Sequence, residues 1–397
     1  MNRTTPAGLG ALAVAATAAV TACSAGSGSA GSSPSPASSA SSVKLTACPQ
    51  SGAPAGTGAG NASGAPKGGQ AGGAVSIPVA KTIKASSTST STVIDPAGPQ
   101  IQCGQTQVTT YSNVVYSTLT ANGQKTELKL DVQVPKTAGK KPLVIYITGG
   151  GFVIADKSAN LDQRTYVAEQ GYVVASIQYR TTAEGATYSG GVADVKSAIR
   201  YLRTHAGQYG IDASKVAVWG QSAGGYLAAM TGTTNGLKQF NVGGNLAQSS
   251  AVQAVVDEFG PSDLSKLASD FDIAAQEANY VPGNALAQWV FGPGTKKSIL
   301  DGPAAAVAAA DPITYISSST PPFVELQGSH DQLVSPSQTL LLNNALRAKG
   351  VESTRYLIKG ANHGDISFTG NTNAALPWST RKVMGLIVSF LRQHLGS

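Results

Sequence analysis

Apolar and polar positions divide the chain into two unlike parts. From about Ile101 the stretches "QVTTYSNVVYSTLT" (107–120) and "TELKLDVQVP" (126–135) alternate apolar with polar, which predicts a pair of half-buried antiparallel strands. "PLVIYI" (142–147) and "GYVVASI" (171–177) are unbroken apolar runs, as expected of strands covered on both faces. Helical spacing follows in "GGVADVKSAIRYLRTHAGQYG" (190–210), with Val192, Val195, Ile199 and Leu202 on one stripe and a glycine at its end. Strand-like "KVAVWG", "VQAVVDEFG", "PFVELQG" and "TRYLIKG" then alternate with helix-like "AGGYLAAMTG", "SQTLLLNNALRAKG" and "STRKVMGLIVSFLRQHL". Such alternation predicts an α/β fold, a mostly parallel central sheet with helices on both faces. The interval 262–319 is longer than one crossover needs and predicts a small cap insertion.

The part before residue 101 lacks this texture. Residues 1–22 read as an export signal: Arg3 gives a positive start, and "GLGALAVAATAAV" (8–20) is apolar but too short to span a bilayer. The tetrapeptide Val20–Cys23, "VTAC", resembles a bacterial lipobox, in which Cys23 is lipidated and becomes the mature N-terminus; cleavage at a neighbouring small residue, with release of the chain, is the alternative. Lipidation would place the protein outside the cell, on the outer face of the cytoplasmic membrane, touching the membrane only through that anchor. Residues 23–100 read as a tether. Its segment from Ser24 to about residue 75 is Ala, Gly, Ser and Pro with almost no large apolar side chain, too little to offset its conformational entropy. The folded domain is then expected over 101–397.

Composition narrows the classes further. Only 12% of residues are charged and the formal net charge of +7 is scattered, with no basic stripe interleaved with aromatics, so nucleic acid is not an expected partner. Beyond Cys23 the remaining cysteines are Cys48 and Cys103, an even pair suited to one disulfide in an oxidising compartment; two free thiols are the alternative.

The candidate chemistry centres on "GQSAG" (220–224). It ends a strand and opens a helix, the setting a nucleophile elbow requires, and so marks Ser222. A serine hydroxyl needs a histidine base, itself oriented by a carboxylate. Of four histidines, His205 and His394 fall in helical patterns and His330 directly precedes Asp331. His363, in the loop "KGANHGD" after a strand, is the candidate base. Asp331, in "LQGSHDQLVSP" after another strand, is the candidate acid, with Asp257 and Asp263 as competitors. The run "TGGGF" (148–152) follows "PLVIYI" and raises the question of an oxyanion hole.

Taken together and in order, "TGGGF", "GQSAGG", "FGPSDL", "GSHDQLVSP" and "GANHGD" resemble the α/β-hydrolase superfamily, and within it the carboxylesterases that include bacterial feruloyl and acetyl xylan esterases. The likeness covers about residues 105–395. It implies a serine esterase working through Ser222, Asp331 and His363 in that chain order, with no metal and no cofactor. It also implies backbone donors at Gly150, Gly151 and Ala223 for the developing oxyanion. Thr148 departs from the family, which most often has histidine there. Phe152, Tyr226, Trp289 and Trp378 are candidates for pocket lining, and equally for plain core. The expected substrate is a small-molecule or polysaccharide ester. A peptidase or amidase on the same fold is one alternative, and a catalytically silent binding lipoprotein is another.

Overall fold

A computed structural model of the chain describes residues 44–51, 78–121, 124–364 and 376–396. Its strands are β1 (Thr46–Ala47), β2 (Ser91–Ile94), β3 (Gln102–Cys103), β4 (Val108–Ala121), β5 (Gln124–Pro135), β6 (Lys141–Ile147), β7 (Val173–Ile177), β8 (Ile211–Gln221), β9 (Ala254–Glu258), β10 (Phe323–Gly328) and β11 (Ser353–Ile358). The helices are α1 (Leu161–Glu169), α2 (Tyr188–Thr204), α3 (Ala206–Tyr209), α4 (Ala223–Thr233), α5 (Ile273–Asn279), α6 (Ala285–Phe291), α7 (Ala304–Ala308), α8 (Ser337–Ala348) and α9 (Arg381–Leu395).

The main sheet runs β2-β11-β10-β9-β8-β6-β7-β5-β4. Strands β4 and β5 are the antiparallel pair that the alternating pattern predicts, and β5 also pairs antiparallel with β7. From β7 through β6, β8, β9, β10 and β11 to β2 every pairing is parallel. The unbroken apolar runs serve two cores. Leu143, Ile145 and Ile147 of β6 join one with α2 and α4, while Val144 and Tyr146 join the other with residues of α1 and α9. Each strand residue changes face from its neighbour, so a continuous run is what a doubly covered strand needs.

The order of connection fixes where a site can form. After β6 the chain crosses to β7 on one side, whereas after β8 it moves to β9 on the other. The loops leaving β6 and β8 therefore diverge and open a crevice at the carboxyl ends of these adjacent strands, the switch point of an open α/β sheet. The interval between β9 and β10 holds α5, α6 and α7, the expected insertion.

The tether expectation needs correcting for its described residues. Residues 44–51 and 78–100 lie on the domain. Strand β2 adds an edge to the main sheet beside β11, Ala80 N–H donates to Gln332 O at 3.0 Å, and Lys81 and Thr82 N–H donate to the Asp272 carboxylate. Large apolar side chains are few in this stretch, and its attachment is carried by backbone hydrogen bonds together with polar side chains such as Thr90 and Ser91, which composition does not reveal. The expected bond between Cys48 and Cys103 is formed, and it joins the residue after β1 to β3. The export signal, Cys23 and the low-complexity residues 24–43 and 52–77 lie outside the described residues. Among the described residues no helix is long and apolar enough to cross a membrane.

Candidate active site

Strand β8 delivers Ser222 and α4 starts immediately after it. The serine is held at φ 57°, ψ −122°, a conformation that costs a non-glycine residue about 1–3 kcal/mol and persists only when its surroundings enforce it. Enforcement comes from both flanks. Ser222 N–H donates to Glu258 O at 2.9 Å, and its carbonyl accepts Tyr226 N–H at 3.0 Å. The elbow is also too crowded for side chains beside the serine: a Cβ on Gly220 would lie 2.0 Å from Gly224 O, and one on Gly224 2.0 Å from Ile147 O.

Asp331 and His363 come from the loops after β10 and β11. His363 Nδ1 lies 2.8 Å from Asp331 Oδ2, and both side chains are almost wholly buried. Gln327 Nε2 donates to that same oxygen at 2.8 Å, while the N–H groups of Leu333 and Val334 donate to Oδ1, each at 2.9 Å. The carboxylate is thus fully engaged, and it fixes the imidazole with Nδ1 as donor and Nε2 as acceptor. The ring leans on Phe259 at a centroid separation of 4.6 Å.

The competing acids are occupied elsewhere. Asp257 accepts Gly260 N–H at 2.9 Å and is wholly buried, which pushes its carboxyl up to about 7. Asp263 caps a short turn and pairs with Lys266 at 2.7 Å. Of the other histidines, His205 Nδ1 sits 2.8 Å from Tyr201 O and His394 lies 3.5 Å from Glu352.

Strand β6 brings the glycine run to the same crevice. Gly150 has φ 143° and Gly151 φ 60°, and a Cβ on Gly150 would stand 2.1 Å from Ile154 O. Among the described residues the N–H groups of Gly150, Gly151 and Ala223 have no acceptor. Gly149 packs closest to the nucleophile; a Cβ there would lie 3.0 Å from that of Ser222. Thr148 is buried, its Oγ1 donating to Gly149 O at 3.2 Å and its carbonyl accepting the Tyr179 hydroxyl at 3.0 Å. Tyr179 is a brace that the sequence reading missed; only its place at the end of a buried strand hints at it.

Ser222, His363 and the residues Thr148–Phe152 line one cleft of about 580 Å³. Part of its lining is apolar, from Leu267, Ala278, Leu286, Leu333 and Val334; another part is polar, from Asn160, Asp162, Gln163 and Gln221. Of the aromatic candidates, Phe152 borders the cleft and stacks on Trp289 at 4.9 Å, whereas Tyr226, Trp289 and Trp378 are buried in the cores. No group of three His, Cys, Asp or Glu side chains among the described residues is placed to hold a metal ion.

The model of the BD-FAE family matches residues 130–346, more than half of the chain. The chain belongs to the BD-FAE family. That span runs from β5 through α8, so the BD-FAE match includes Ser222 and Asp331 but stops short of His363 and of everything before β5. Among curated proteins, the chain is 26% identical over 253 residues to a probable isoprenylcysteine alpha-carbonyl methylesterase, ICMEL1, of Arabidopsis thaliana, covering 62% of this chain and 50% of that one. It is 28% identical over 218 residues to the esterase LipQ of Mycobacterium tuberculosis, covering 55% and 48%. The chain thus spans about half the length of the curated relatives it matches. A solved carbohydrate esterase in truncated form, from gut microbiota, superposes with a TM-score of 0.59 at 25% identity, covering 76% of this chain and all of that one. These neighbours share the α/β-hydrolase fold that the motifs imply.

Proposed function

We propose that this protein is a serine hydrolase of carboxylic esters that works through a Ser222–His363–Asp331 triad. The observation that carries the reading is the buried Asp331–His363 contact, which opens on the same cleft as a strained, elbow-held Ser222. In the proposed cycle Ser222 Oγ attacks the ester carbonyl carbon while His363 Nε2 takes its proton. The charge that develops on the carbonyl oxygen is met by the N–H groups of Gly150, Gly151 and Ala223, each such donor contributing about 3–4 kcal/mol. The C–O bond breaks, the imidazolium returns the proton to the departing alkoxide, and an acyl group remains on Ser222. Water, activated by the same imidazole, then releases the acid.

The apolar part of the lining suits a short acyl group, and the curated and structural relatives carry names of esterases. Export belongs to the proposal as well: a disulfide suits an oxidising compartment, and "VTAC" offers Cys23 for a lipid anchor. A panel of 4-nitrophenyl esters of rising acyl length tests the activity. The reading expects turnover that is greatest for short chains and falls by about six orders of magnitude in Ser222→Ala. Equal turnover in that variant and the wild type contradicts it.

A further inference from the structure

Gln332 directly follows the acid and Asn362 directly precedes the base, and the two residues are joined by a pair of hydrogen bonds. Gln332 N–H donates to Asn362 Oδ1 at 3.0 Å, and Asn362 Nδ2 donates to Gln332 Oε1 at 2.6 Å. Asn362 Oδ1 also accepts the N–H of His363 itself at 2.8 Å. The other two polar groups of Gln332 turn to the amino-terminal segment: Nε2 donates to Ala80 O at 2.7 Å, and the carbonyl accepts Ala80 N–H at 3.0 Å. All four polar groups of Gln332 are thereby paired, two with Asn362 and two with Ala80.

This pairing fixes how both amides are turned. Two backbone N–H groups point at Asn362 Oδ1, so that atom must be the oxygen and the other the nitrogen. The nitrogen needs an oxygen on Gln332, whose own nitrogen then faces the Ala80 carbonyl, an acceptor only. The position therefore requires a side chain that accepts on one side and donates on the other. An ionised glutamate accepts without donating, and a lysine donates without accepting.

Ala80 is a fixed point. It is buried, and directly after it Lys81 and Thr82 N–H donate to Asp272 Oδ2 at 2.8 and 3.1 Å, while Lys84 N–H donates to Asp270 O at 2.7 Å. Further on, β2 is paired with β11, the strand that leads to His363. Of Ala80, Gln332 and Asn362, only Gln332 falls within the family's span of 130–346. The acid and base loops also meet at His330 N–H, which donates to Ala361 O at 2.9 Å. Loss of the Gln332 amide therefore leaves the loops joined and loosens the end that bears the base.

We propose that Gln332 is a positioning residue, one that carries the hold of the amino-terminal segment at Ala80 through Asn362 to the backbone of His363. The inference rests on the ester-hydrolase reading and adds to its machinery a segment outside the family's span. Ala80, Gln332 and Asn362 stand outside the cleft lining, so the hold acts on the chemical step and not on substrate binding. A base displaced by about 1 Å is enough to cost a large factor in turnover.

The experiment measures kcat and KM for 4-nitrophenyl acetate on the full chain, on the pH plateau of each protein, in the wild type, Gln332→Met and Gln332→Glu. Turnover is counted per serine titrated by a fluorophosphonate, so that an unfolded fraction drops out. Gln332→Met loses both side-chain contacts and is expected to lower kcat roughly five- to twentyfold, with KM within about twofold of wild type. Gln332→Glu keeps the shape and the contact to Asn362 but offers Ala80 O no hydrogen, and is expected to lower kcat about threefold or more. Its added negative charge favours the imidazolium, so a fall in kcat reports the lost hydrogen bond. In Gln332→Met, a kcat within about twofold of wild type, or a change confined to KM, overturns the positioning role. Gln332→Glu equal to wild type overturns the part given to the amino-terminal segment, and that variant decides alone if Gln332→Met does not fold. Wild type inactive on every ester contradicts the hydrolase reading itself; an active wild type with unchanged variants overturns only this inference.

Discussion

Asp331 and His363 stand on loops after two adjacent parallel strands, 32 residues apart in sequence and 2.8 Å apart in space. Three further donors fill the carboxylate, so the imidazole is oriented by a group that is itself immobilised. Exchanging the acid for an amide keeps the shape but removes the charge and the acceptor that hold Nδ1 as a donor. Asp331→Asn is therefore expected to lower kcat by about 10⁴-fold, whereas Asp257→Asn, whose carboxyl serves Gly260, lowers it by less than about tenfold. Steady-state kinetics on one nitrophenyl ester compares them directly.

Gln327 donates to the same carboxylate oxygen that His363 contacts, and its own carbonyl accepts from Thr339 Oγ1 at 3.3 Å, which in turn accepts from Arg355 Nε at 2.9 Å. All three are buried behind the acid. Gln327→Leu is expected to reduce kcat about tenfold, the loss of one hydrogen bond to a charged group, with KM nearly constant because Gln327 does not border the cleft. A change confined to KM contradicts this positioning role.

The Asp257 carboxyl, raised by burial to about 7, ionises near 4 in the unfolded chain. Between those values the folded chain holds one more proton than the unfolded chain, so this group makes stability fall as pH rises, by about 1 kcal/mol per unit, and adds no slope above 7. Asp257→Asn removes that share, while Asp311, also pushed to about 7 by burial, keeps its own. Thermal unfolding should show the variant gaining relative to the wild type from pH 4 to pH 7 and keeping a constant difference from it above.

The glycine run predicts a steric effect. A valine at Gly150 meets Ile154 O and must also take φ 143°, so Gly150→Val is expected to abolish turnover. Thr148→Val loses only a contact to Gly149 O and keeps the carbonyl that Tyr179 braces, so it is expected to stay within about tenfold of wild type. Nitrophenyl ester kinetics on both variants checks the contrast.

Local pattern was enough to single out the parts of the candidate site whose chemistry is rare in sequence. Ser222 stands between glycines that its crowded elbow demands, and of the two histidines in loops at strand ends His330 directly precedes the acid, which leaves His363. The sheet was legible because strands covered on both faces cannot hide their apolar runs, as in 142–147. Residues that act through long-range contacts left no such mark. Tyr179 reads as one more buried aromatic, and Gln327 as a polar residue ending a strand. Likewise, 78–100 reads as loose chain because backbone groups, which every residue carries, and small hydroxyl side chains such as Thr90 and Ser91 hold it to the domain.

The central claim is a nucleophilic serine in a folded triad, and fluorophosphonate labelling followed by mass spectrometry of the intact, folded protein tests it most directly. The account predicts one adduct per chain, on the peptide that contains Ser222, lost in Ser222→Ala and much slowed in His363→Ala. No adduct on folded wild-type protein, or an equal adduct in Ser222→Ala, would contradict it.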